Sequence, residues 1–256
     1  MTEAIRHLAY DLSMRKDYLA TSEQQATVDE SVFVADFWSQ QWQGVAHLPQ
    51  AAAIAQAEEY QIMEPFLGQL LPGSRILDGG CGLGAWTVFL TNQGFQVTGL
   101  DISAPTITRL QSLLPDYQFA CRDIRQTDFV AATFDAYFSW GTFEHFENGL
   151  GDCMREAYRL LKPGGFLFVS VPFQNWRHIW RDARSQPASP QPSQTLRFYQ
   201  WRLTVPELAQ ELAIAGFHVL QIQPIHRDQG WSRTLHHDFG LVPGSWGGVW
   251  GCACSG

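Results

Sequence analysis

Residues 76–86, ILDGGCGLGAW, join an apolar segment to a helix-like segment through a turn in which Gly80, Gly82 and Gly84 alternate with other residues. Glycine lets the backbone adopt positive φ angles and approach a ligand closely. We therefore expect the backbone N–H groups of this turn to be available to a ligand. A strand, a glycine-rich turn and a helix in this order are typical of open α/β sheets, which bind ligands at the carboxyl ends of their strands.

The chain continues as an alternation of strand-like and helix-like segments. The strand-like segments are SRILDGG, FQVTGLD, YQFACRD, FDAYFSWG, FLFVSVP and HVLQIQPI, and the helix-like ones are AWTVFLTNQG, SAPTITRLQSLLP, GDCMREAYRLLKPGG and TVPELAQELAIAGF. Ser103 is suited to an N-cap, and Thr204 and Glu207 have capping-box spacing. The alternation predicts a three-layer, Rossmann-like, doubly wound and mostly parallel α/β sheet.

Five segments are predicted from composition and pattern. They are an N-terminal helical cap at 1–50, the Rossmann-like core at 51–172, an insert after the fifth strand at 173–203, the last helix and strand of the core at 204–225, and an irregular tail at 226–256. Pro65 is expected to kink or split the helical segment that opens the core. The tail is rich in glycine and tryptophan without helix or strand periodicity. The final strand of the sheet is therefore predicted to be absent or badly formed, which would leave a sheet edge open.

Composition excludes several classes of protein. A formal net charge of −8 argues against a general nucleic-acid binder. No apolar run approaches the ~20 residues of a membrane span, and the N-terminus lacks a signal-peptide core, so a cytoplasmic location is expected. Five scattered cysteines do not form a disulfide framework, and their spacing predicts no metal site. The oligomeric state remains open.

The glycine turn fits two ligand classes. Gly80, Gly82 and Ala85 match the dinucleotide pattern G-x-G-x-x-A, with Asp101 placed to hold a ribose. With Asp78, the turn also matches D-x-G-x-G-x-G. A carboxylate at the mouth of this site would repel a pyrophosphate by about 4 kcal/mol at ~4 Å and an effective dielectric near 20. It would instead attract a cationic, phosphate-free nucleoside such as S-adenosyl-L-methionine.

From about residue 60 to residue 225 the chain resembles the class I S-adenosylmethionine-dependent methyltransferases of the small-molecule, type 11-like group. The resemblance is carried, in the family's order, by LDGGCGLG, GLDIS, CRDI, SWGTFEHF and LLKPGGFLFVSVP. It implies S-adenosyl-L-methionine as cofactor, bound by Asp78, Gly80, Gly82, Gly84, Asp101, Ile102, Asp123, Ile124 and Trp140.

The resemblance also implies individual roles. Asp101 would bond both ribose hydroxyls, Asp123 would lie beside the adenine amino group, and Ile102 and Ile124 would pack on the adenine ring. Trp140 would line the methionine side of the cofactor.

Methyl transfer requires a nucleophile within ~3–3.5 Å of the methyl group, in line with the leaving sulfur. Glu144 and His145 follow the fourth strand and lie nearest the transfer point if the resemblance holds. Histidine has a pKa suited to a general base, so His145 is the candidate base, with Glu144 beside it. The alternative is that His145 only forms local hydrogen bonds.

Two segments are expected to cover the acceptor and the cofactor. The insert carries Trp176, His178, Trp180, Phe198, Tyr199 and Trp201, together with Arg177, Arg181, Arg184, Arg197 and Arg202 against the single acidic residue Asp182. This favours an aromatic or lipid-like acceptor with an anionic group, although a solvated lid or a partner-binding surface would show the same composition. Phe37, Trp38 and Trp42 would fold over the cofactor from the other side, or serve as ordinary core.

The sequence thus favours methyl transfer from S-adenosylmethionine to a small-molecule acceptor. An NAD(P)-dependent oxidoreductase and a non-catalytic S-adenosylmethionine-binding domain remain alternatives.

Overall fold

The computed structural model describes residues 15–45, 48, 50–174 and 195–226, and the backbone of residues 249–255. The strands are β1 Arg15–Thr21, β2 Arg75–Gly79, β3 Gln96–Asp101, β4 Gln118–Cys121, β5 Phe134–Trp140, β6 Leu161–Pro172, β7 Thr195–Arg202, β8 His218–Ile225 and β9 Val249–Ser255. The α-helices are α1 Glu23–Ala26, α2 Glu30–Gln43, α3 Glu58–Leu67, α4 Ala85–Asn92, α5 Ala104–Leu113, α6 Gly151–Leu160 and α7 Val205–Ile214, and short 3₁₀ turns occur at Ala51–Gln56 and Phe143–His145.

The main sheet has the strand order β4-β3-β2-β5-β6-β9-β8. Strands β4, β3, β2, β5 and β6 are mutually parallel, whereas β9 is antiparallel to both of its neighbours. The chain order reverses between β2 and β5, and the connections that leave these two strands diverge at their carboxyl ends. Such a switch point opens a crevice for a ligand. The predicted doubly wound, mostly parallel α/β fold is confirmed.

The prediction of a missing or badly formed last strand was wrong. The backbone of β9 pairs with β6 from Phe166↔Ser255 to Pro172↔Val249, and its other edge pairs with β8. Val249 and Trp250 favour a strand, but Gly251 and Ala253 give the rest of this segment weak strand propensity. A strand between two partners is stabilised by ladder hydrogen bonds on both edges, so tertiary context overrides the weak propensity. Residues 227–248, the rest of the predicted irregular tail, lie outside the described residues.

The helix-end signals read from the sequence are present. The Ser103 hydroxyl accepts from the Thr106 N–H at 3.3 Å, and the Thr204–Glu207 capping box is formed at the start of α7. The helical segment at the start of the core does split, but at Ala57, between the 3₁₀ turn and α3. Pro65 lies inside α3 rather than at the break.

Apolar side chains fill both faces of the main sheet. Ile76 and Leu77 are adjacent in β2 and fully buried, and they belong to separate core clusters. The cluster that contains Ile76 includes residues of α3 and α4, and the cluster that contains Leu77 includes residues of α6 and α7. Helices on both faces give the three predicted layers.

A second sheet joins two segments that are far apart in sequence. Strand β1, from the predicted cap, pairs antiparallel with β7, from the predicted insert. This two-stranded ribbon contacts the 3₁₀ turn that follows β5. The described parts of the cap and the insert therefore pack together beside the loop at the carboxyl end of β5.

Replacing Gly79 by alanine should destabilise the fold. A Cβ at the end of β2 would lie 2.5 Å from Cε2 and from the hydroxyl oxygen of Tyr137, whose fully buried ring has no room to retreat. Overpacking of this kind typically lowers the free energy of unfolding by about 1–3 kcal/mol, measurable by urea denaturation. Gly44→Ala is the matched control, because its nearest contact would be Gln41 O at 3.8 Å. Equal stability of the two variants would contradict the expected clash.

Candidate active site

The turn after β2 requires glycine for two reasons. Gly80, Gly82 and Gly84 have φ angles of +82°, +50° and +75°, in the left-handed region that favours glycine. A Cβ on Gly80 would also lie 2.2 Å from the Thr142 hydroxyl oxygen. The turn consequently packs directly against the loop that follows β5.

The backbone N–H groups of this turn are used within the protein. The N–H groups of Gly80 and Cys81 both donate to Leu100 O, at 2.7 and 2.8 Å, and Gly82 N–H donates to Asp101 Oδ2 at 3.0 Å. Gly84 N–H donates to Cys81 O at 2.8 Å. The expectation that the turn offers bare N–H groups was therefore wrong for these four. A phosphate cradle depends on free N–H donors, so this turn does not suit the pyrophosphate of a dinucleotide.

Asp101, at the end of β3, keeps hydrogen-bonding capacity toward the cleft. Its Oδ2 accepts from Gly82 N–H, and its Oδ1 accepts from Ser103 N–H at 2.9 Å. The side chain is 6% exposed and lines the cleft. Burial raises the pKa of Asp101, while the N–H bonds from Ser103, Gly82 and Ile102 oppose that rise. A carboxylate offers about four lone-pair sites, so Asp101 can still accept from a ligand hydroxyl in addition to these N–H bonds.

A cleft of about 620 Å³, including space open to solvent, lies at the switch point between β2 and β5. The predicted site residues that line it are Gly80, Asp101, Ile102, Ile124, Trp140 and His145. The predicted residues that do not are Asp78, Gly82, Gly84, Asp123 and Glu144. Residues that sequence reasoning missed are Val34, Leu100, Arg122, Gly141, Thr142 and Phe146. The spacing of Val34, Trp38 and Trp42 is a helical stripe that could have revealed Val34.

Asp78 faces a helix instead of the mouth of the cleft. Its Oδ2 accepts from the Thr87 hydroxyl at 2.7 Å, in the first turn of α4, and the side chain is 3% exposed. Burial raises the pKa of Asp78 to about 7, with Asp101 adding to the rise and Thr87 opposing it. The carboxylate that the sequence placed at the ligand entrance thus packs beneath the glycine turn.

Asp123 is engaged by an arginine. Its carboxylate accepts from Arg125 Nη2 at 2.7 Å and from the Ser31 hydroxyl at 3.3 Å, and Arg125 also pairs with Glu30 at 2.5 Å. Burial alone would raise the pKa of Asp123, but the hydrogen bonds and charge of Arg125 outweigh burial and lower it. This ion-pair cluster ties the start of α2 to the loop after β4.

Helix α2 supplies an aromatic wall to the cleft. Val34, Trp38 and Trp42 line the cleft, and the two indole rings stack at 5.4 Å with an interplanar angle of 23°. A Cβ on Gly82 would lie 3.1 Å from the Trp42 ring, so that indole rests on the glycine turn. Phe37 packs against Trp38 and the Tyr199 ring instead of lining the cleft.

His145 is held between α2 and β7. Its Nδ1 lies 2.8 Å from Tyr199 O, and its ring contacts those of Trp38 and Tyr199, each at 5.1 Å. A carbonyl only accepts, so Nδ1 carries the proton and Nε2 is the basic nitrogen. Burial lowers the pKa of His145 to about 4, against the opposing effect of the Tyr199 and Gly141 carbonyls. The alternative of purely local bonding does not describe this residue, because its partner lies in a distant segment.

Glu144 is buried beside His145. Its side chain is 3% exposed, and burial raises its pKa to about 8. At neutral pH both side chains of the pair are therefore mainly uncharged.

Two of the five arginines counted in the insert serve the fold. Arg197 Nη1 donates to the carbonyls of Gln25, Ala26 and Val28 at 3.3, 2.9 and 2.7 Å. Arg202 donates to Asp17 Oδ1 at 3.0 Å and to the Gln174 side chain at 2.8 Å. These two arginines therefore do not supply the positive charge that was expected to face an anionic acceptor. Arg177, Arg181 and Arg184, with Trp176, His178, Trp180 and Asp182, lie outside the described residues.

The described ranges contain no group of three histidine, cysteine, aspartate or glutamate side chains arranged to hold a metal ion. Among those same residues, no helix has the length and apolar character needed to cross a bilayer.

Comparison with known proteins matches residues 76–165 to the family described as "Methyltransferase domain". A malonyl-[acyl-carrier protein] O-methyltransferase of Pseudescherichia vulneris is 32% identical over 39% of this chain and 39% of its own length. A ubiquinone biosynthesis O-methyltransferase of Xanthomonas campestris is 37% identical over 40% of this chain and 44% of its own. The chain thus spans less than half the length of these two relatives.

A solved structure is similar over nearly the whole chain. It is the 1,6-didemethyltoxoflavin-N1-methyltransferase of Burkholderia thailandensis, with bound 1,6-didemethyltoxoflavin and S-adenosylhomocysteine. The TM-score is 0.57 at 23% identity, covering 93% of this chain and 91% of that one. At this identity the similarity establishes the fold.

Asp78→Asn should change how stability depends on pH. The folded-state pKa of Asp78 is raised to about 7, above the value near 3.9 of an unfolded aspartate. The folded state therefore holds the extra proton between these values, and the stability contributed by the protonated carboxyl is lost as pH rises from about 4 to about 7. The variant has no proton to lose, so its stability relative to wild type should increase across that window in urea denaturation.

Asp116→Asn makes the same change at an exposed position and is the matched control. A stability difference between Asp78→Asn and wild type that is constant with pH would contradict the prediction.

Proposed function

Because the chain belongs to the class I S-adenosylmethionine-dependent methyltransferases, we propose that it transfers a methyl group from S-adenosyl-L-methionine to a small-molecule acceptor. The observation that carries this proposal is the geometry of Asp101. Its carboxylate is held by backbone N–H groups and lines the cleft, beside a glycine turn whose own N–H groups are occupied. That arrangement suits a nucleoside with two ribose hydroxyls and no phosphate.

The residues present fit this cofactor. Asp101 would accept from the ribose hydroxyls, while Ile102 and Ile124 provide the apolar walls that an adenine ring requires. Trp140 would border the methionine portion. We assign Asp78, Gly82 and Gly84 to shaping the turn and Asp123 to anchoring α2, since none of these four residues lines the cleft.

The bound cofactor supplies an electrophilic methyl group on a sulfonium. Trp38 and Trp42 cover the cleft from α2 and exclude water from the acceptor. His145 Nε2 takes the proton of the acceptor as the new bond to the methyl group forms. The Nδ1–H bond to Tyr199 O fixes the imidazole in the tautomer that this step needs.

We propose an aromatic acceptor with a hydroxyl group. The stacked indoles of Trp38 and Trp42 offer a flat apolar wall, and the neutral His145 suits a hydroxyl that must lose a proton. The similarity to an O-methyltransferase of ubiquinone biosynthesis supports this class. An anionic group on the acceptor is not part of the proposal, because Arg197 and Arg202 are engaged within the protein.

The alternatives are less well supported. The N–H groups of Gly80, Cys81, Gly82 and Gly84 are bound within the protein, so they are not free to donate to the pyrophosphate of a dinucleotide. A non-catalytic binding domain would have no need of a histidine at the cleft whose tautomer is fixed.

Asp101→Ala should weaken binding of S-adenosylhomocysteine by tenfold or more, about 1.4 kcal/mol, since it removes hydrogen bonds to two hydroxyls. Isothermal titration calorimetry measures this loss, and Asp116→Ala provides an exposed aspartate as the control. Wild-type protein should bind S-adenosylhomocysteine at micromolar levels and ignore NADH. Unchanged affinity in Asp101→Ala, or tight NADH binding, would overturn the cofactor assignment.

His145→Ala should reduce turnover by roughly 10²–10⁴-fold, the usual contribution of a general base. Transfer of a labelled methyl group to a panel of hydroxylated aromatic compounds provides the assay. Affinity for S-adenosylhomocysteine should change little, and the exposed His218→Ala serves as the matched control. Full turnover in His145→Ala with an acceptor that wild type methylates would exclude His145 as the base.

A further inference from the structure

We infer that Glu144 is a positioning residue whose carboxyl, 4.0 Å from the basic nitrogen of His145, sets the charge that the imidazole can carry. This inference rests on the proposed function, in which His145 takes the acceptor's proton. Glu144 itself does not line the cleft, so it would act through His145 and not by touching the acceptor.

Little compensates for burying the Glu144 carboxyl: its own backbone N–H opposes the rise in pKa that burial causes, but the pKa still reaches about 8. Among the described residues, its Oε2 is buried without a hydrogen-bond partner, and its Oε1 lies 4.0 Å from His145 Nε2. A Cβ on Gly141 would lie 3.4 Å from Oε1, so the glycine leaves space for the carboxyl beside the cleft. A buried polar group without partners is costly, which favours a functional reason for its position.

The other groups near Glu144 come from three packed elements. Burial raises the pKa of the Tyr199 hydroxyl in β7 and of the Cys153 thiol in α6, and the charge of Glu144 raises both further. Asp17 of β1 acts on Tyr199 but is already paired with Arg202 and Gln200. Tyr199 and Cys153 stay neutral around pH 7, so ionisation of Glu144 acts mainly on His145.

The two protonation states of Glu144 would give His145 different strength as a base. While Glu144 is protonated, burial keeps the pKa of His145 low, so the imidazole is a weak base. An ionised carboxylate at this distance favours the imidazolium and raises the pKa of His145 toward its ordinary value. The acceptor's proton would then move to Nε2 as the acceptor oxygen bonds to the methyl carbon and the methyl–sulfur bond breaks, with S-adenosylhomocysteine as the leaving group. Glu144 loses its own proton to solvent before this step. Because its charge changes the pKa of His145, the two groups titrate as a coupled pair.

The experiment is a histidine-selective NMR titration of the complex with S-adenosylhomocysteine, in wild type and in Glu144→Gln. In wild type the His145 resonances should shift once near pH 4, from His145 itself, and again near pH 8, from Glu144. Glu144→Gln should keep the first step and lose the second. Turnover of wild type should rise through the second step, whereas turnover of Glu144→Gln should be tenfold or more lower and flat there.

A second step that persists in Glu144→Gln would overturn the inference. Glu144→Asp provides a second variant: it keeps the charge but withdraws the carboxyl, so the second shift should remain with smaller amplitude. A shift of equal size in Glu144→Asp and wild type would also count against it. The titration needs no acceptor, so absent methyl transfer with intact coupling would count against the proposed function alone.

Discussion

The site depends on the hydrogen bonds that join the ends of β2 and β3. Leu100 O accepts from Gly80 and Cys81, and Asp101 accepts from Gly82. These bonds fix the glycine turn at the edge of β3, and they hold the Asp101 carboxylate in a single orientation toward the cleft. The turn therefore gives the cleft its shape, and hydrogen bonding toward the cleft comes from the Asp101 side chain instead of the backbone N–H groups of the turn.

The surroundings of His145, the proposed proton acceptor, are assembled from distant parts of the chain. His145 comes from the loop after β5, its ring packs on Trp38 of α2, and its Nδ1–H is bound by the Tyr199 carbonyl of β7. Tyr199 lies at a β-bulge of this ribbon, and its neighbours Phe198 and Gln200 pair with Tyr18 and Asp17 of β1, which fixes the backbone on both sides of that carbonyl. The loop after β5, α2 and β7 together fix the position of the imidazole, so a movement of α2 or β7 would displace Nε2.

The sequence predicted the order of strands and helices because apolar periodicity and helix caps such as Ser103 are local. It also identified Asp101, Ile102, Ile124, Trp140 and His145 as cleft residues, since residues at the carboxyl ends of parallel strands converge. It failed where the contacts of single side chains or of strand edges decide the outcome. Asp78 turns toward Thr87, Asp123 is bound by Arg125 and by Ser31 of α2, and β9 is ordered by two neighbouring strands. Apolar periodicity reveals none of these partners, whether they lie two residues away, as Arg125 does, or far along the chain.

The position of β9 has a consequence for how the protein reaches its native state. The strands that border the cleft, β4, β3, β2 and β5, are complete early in the chain, whereas β6 and β8 are bridged only by the last strand in chain order. Such long-range pairing slows folding, because a large loop must close before its contacts form. Chain synthesis thus completes the strands that border the cleft before β9, and the facing edges of β6 and β8 stay unpaired until β9 forms between them.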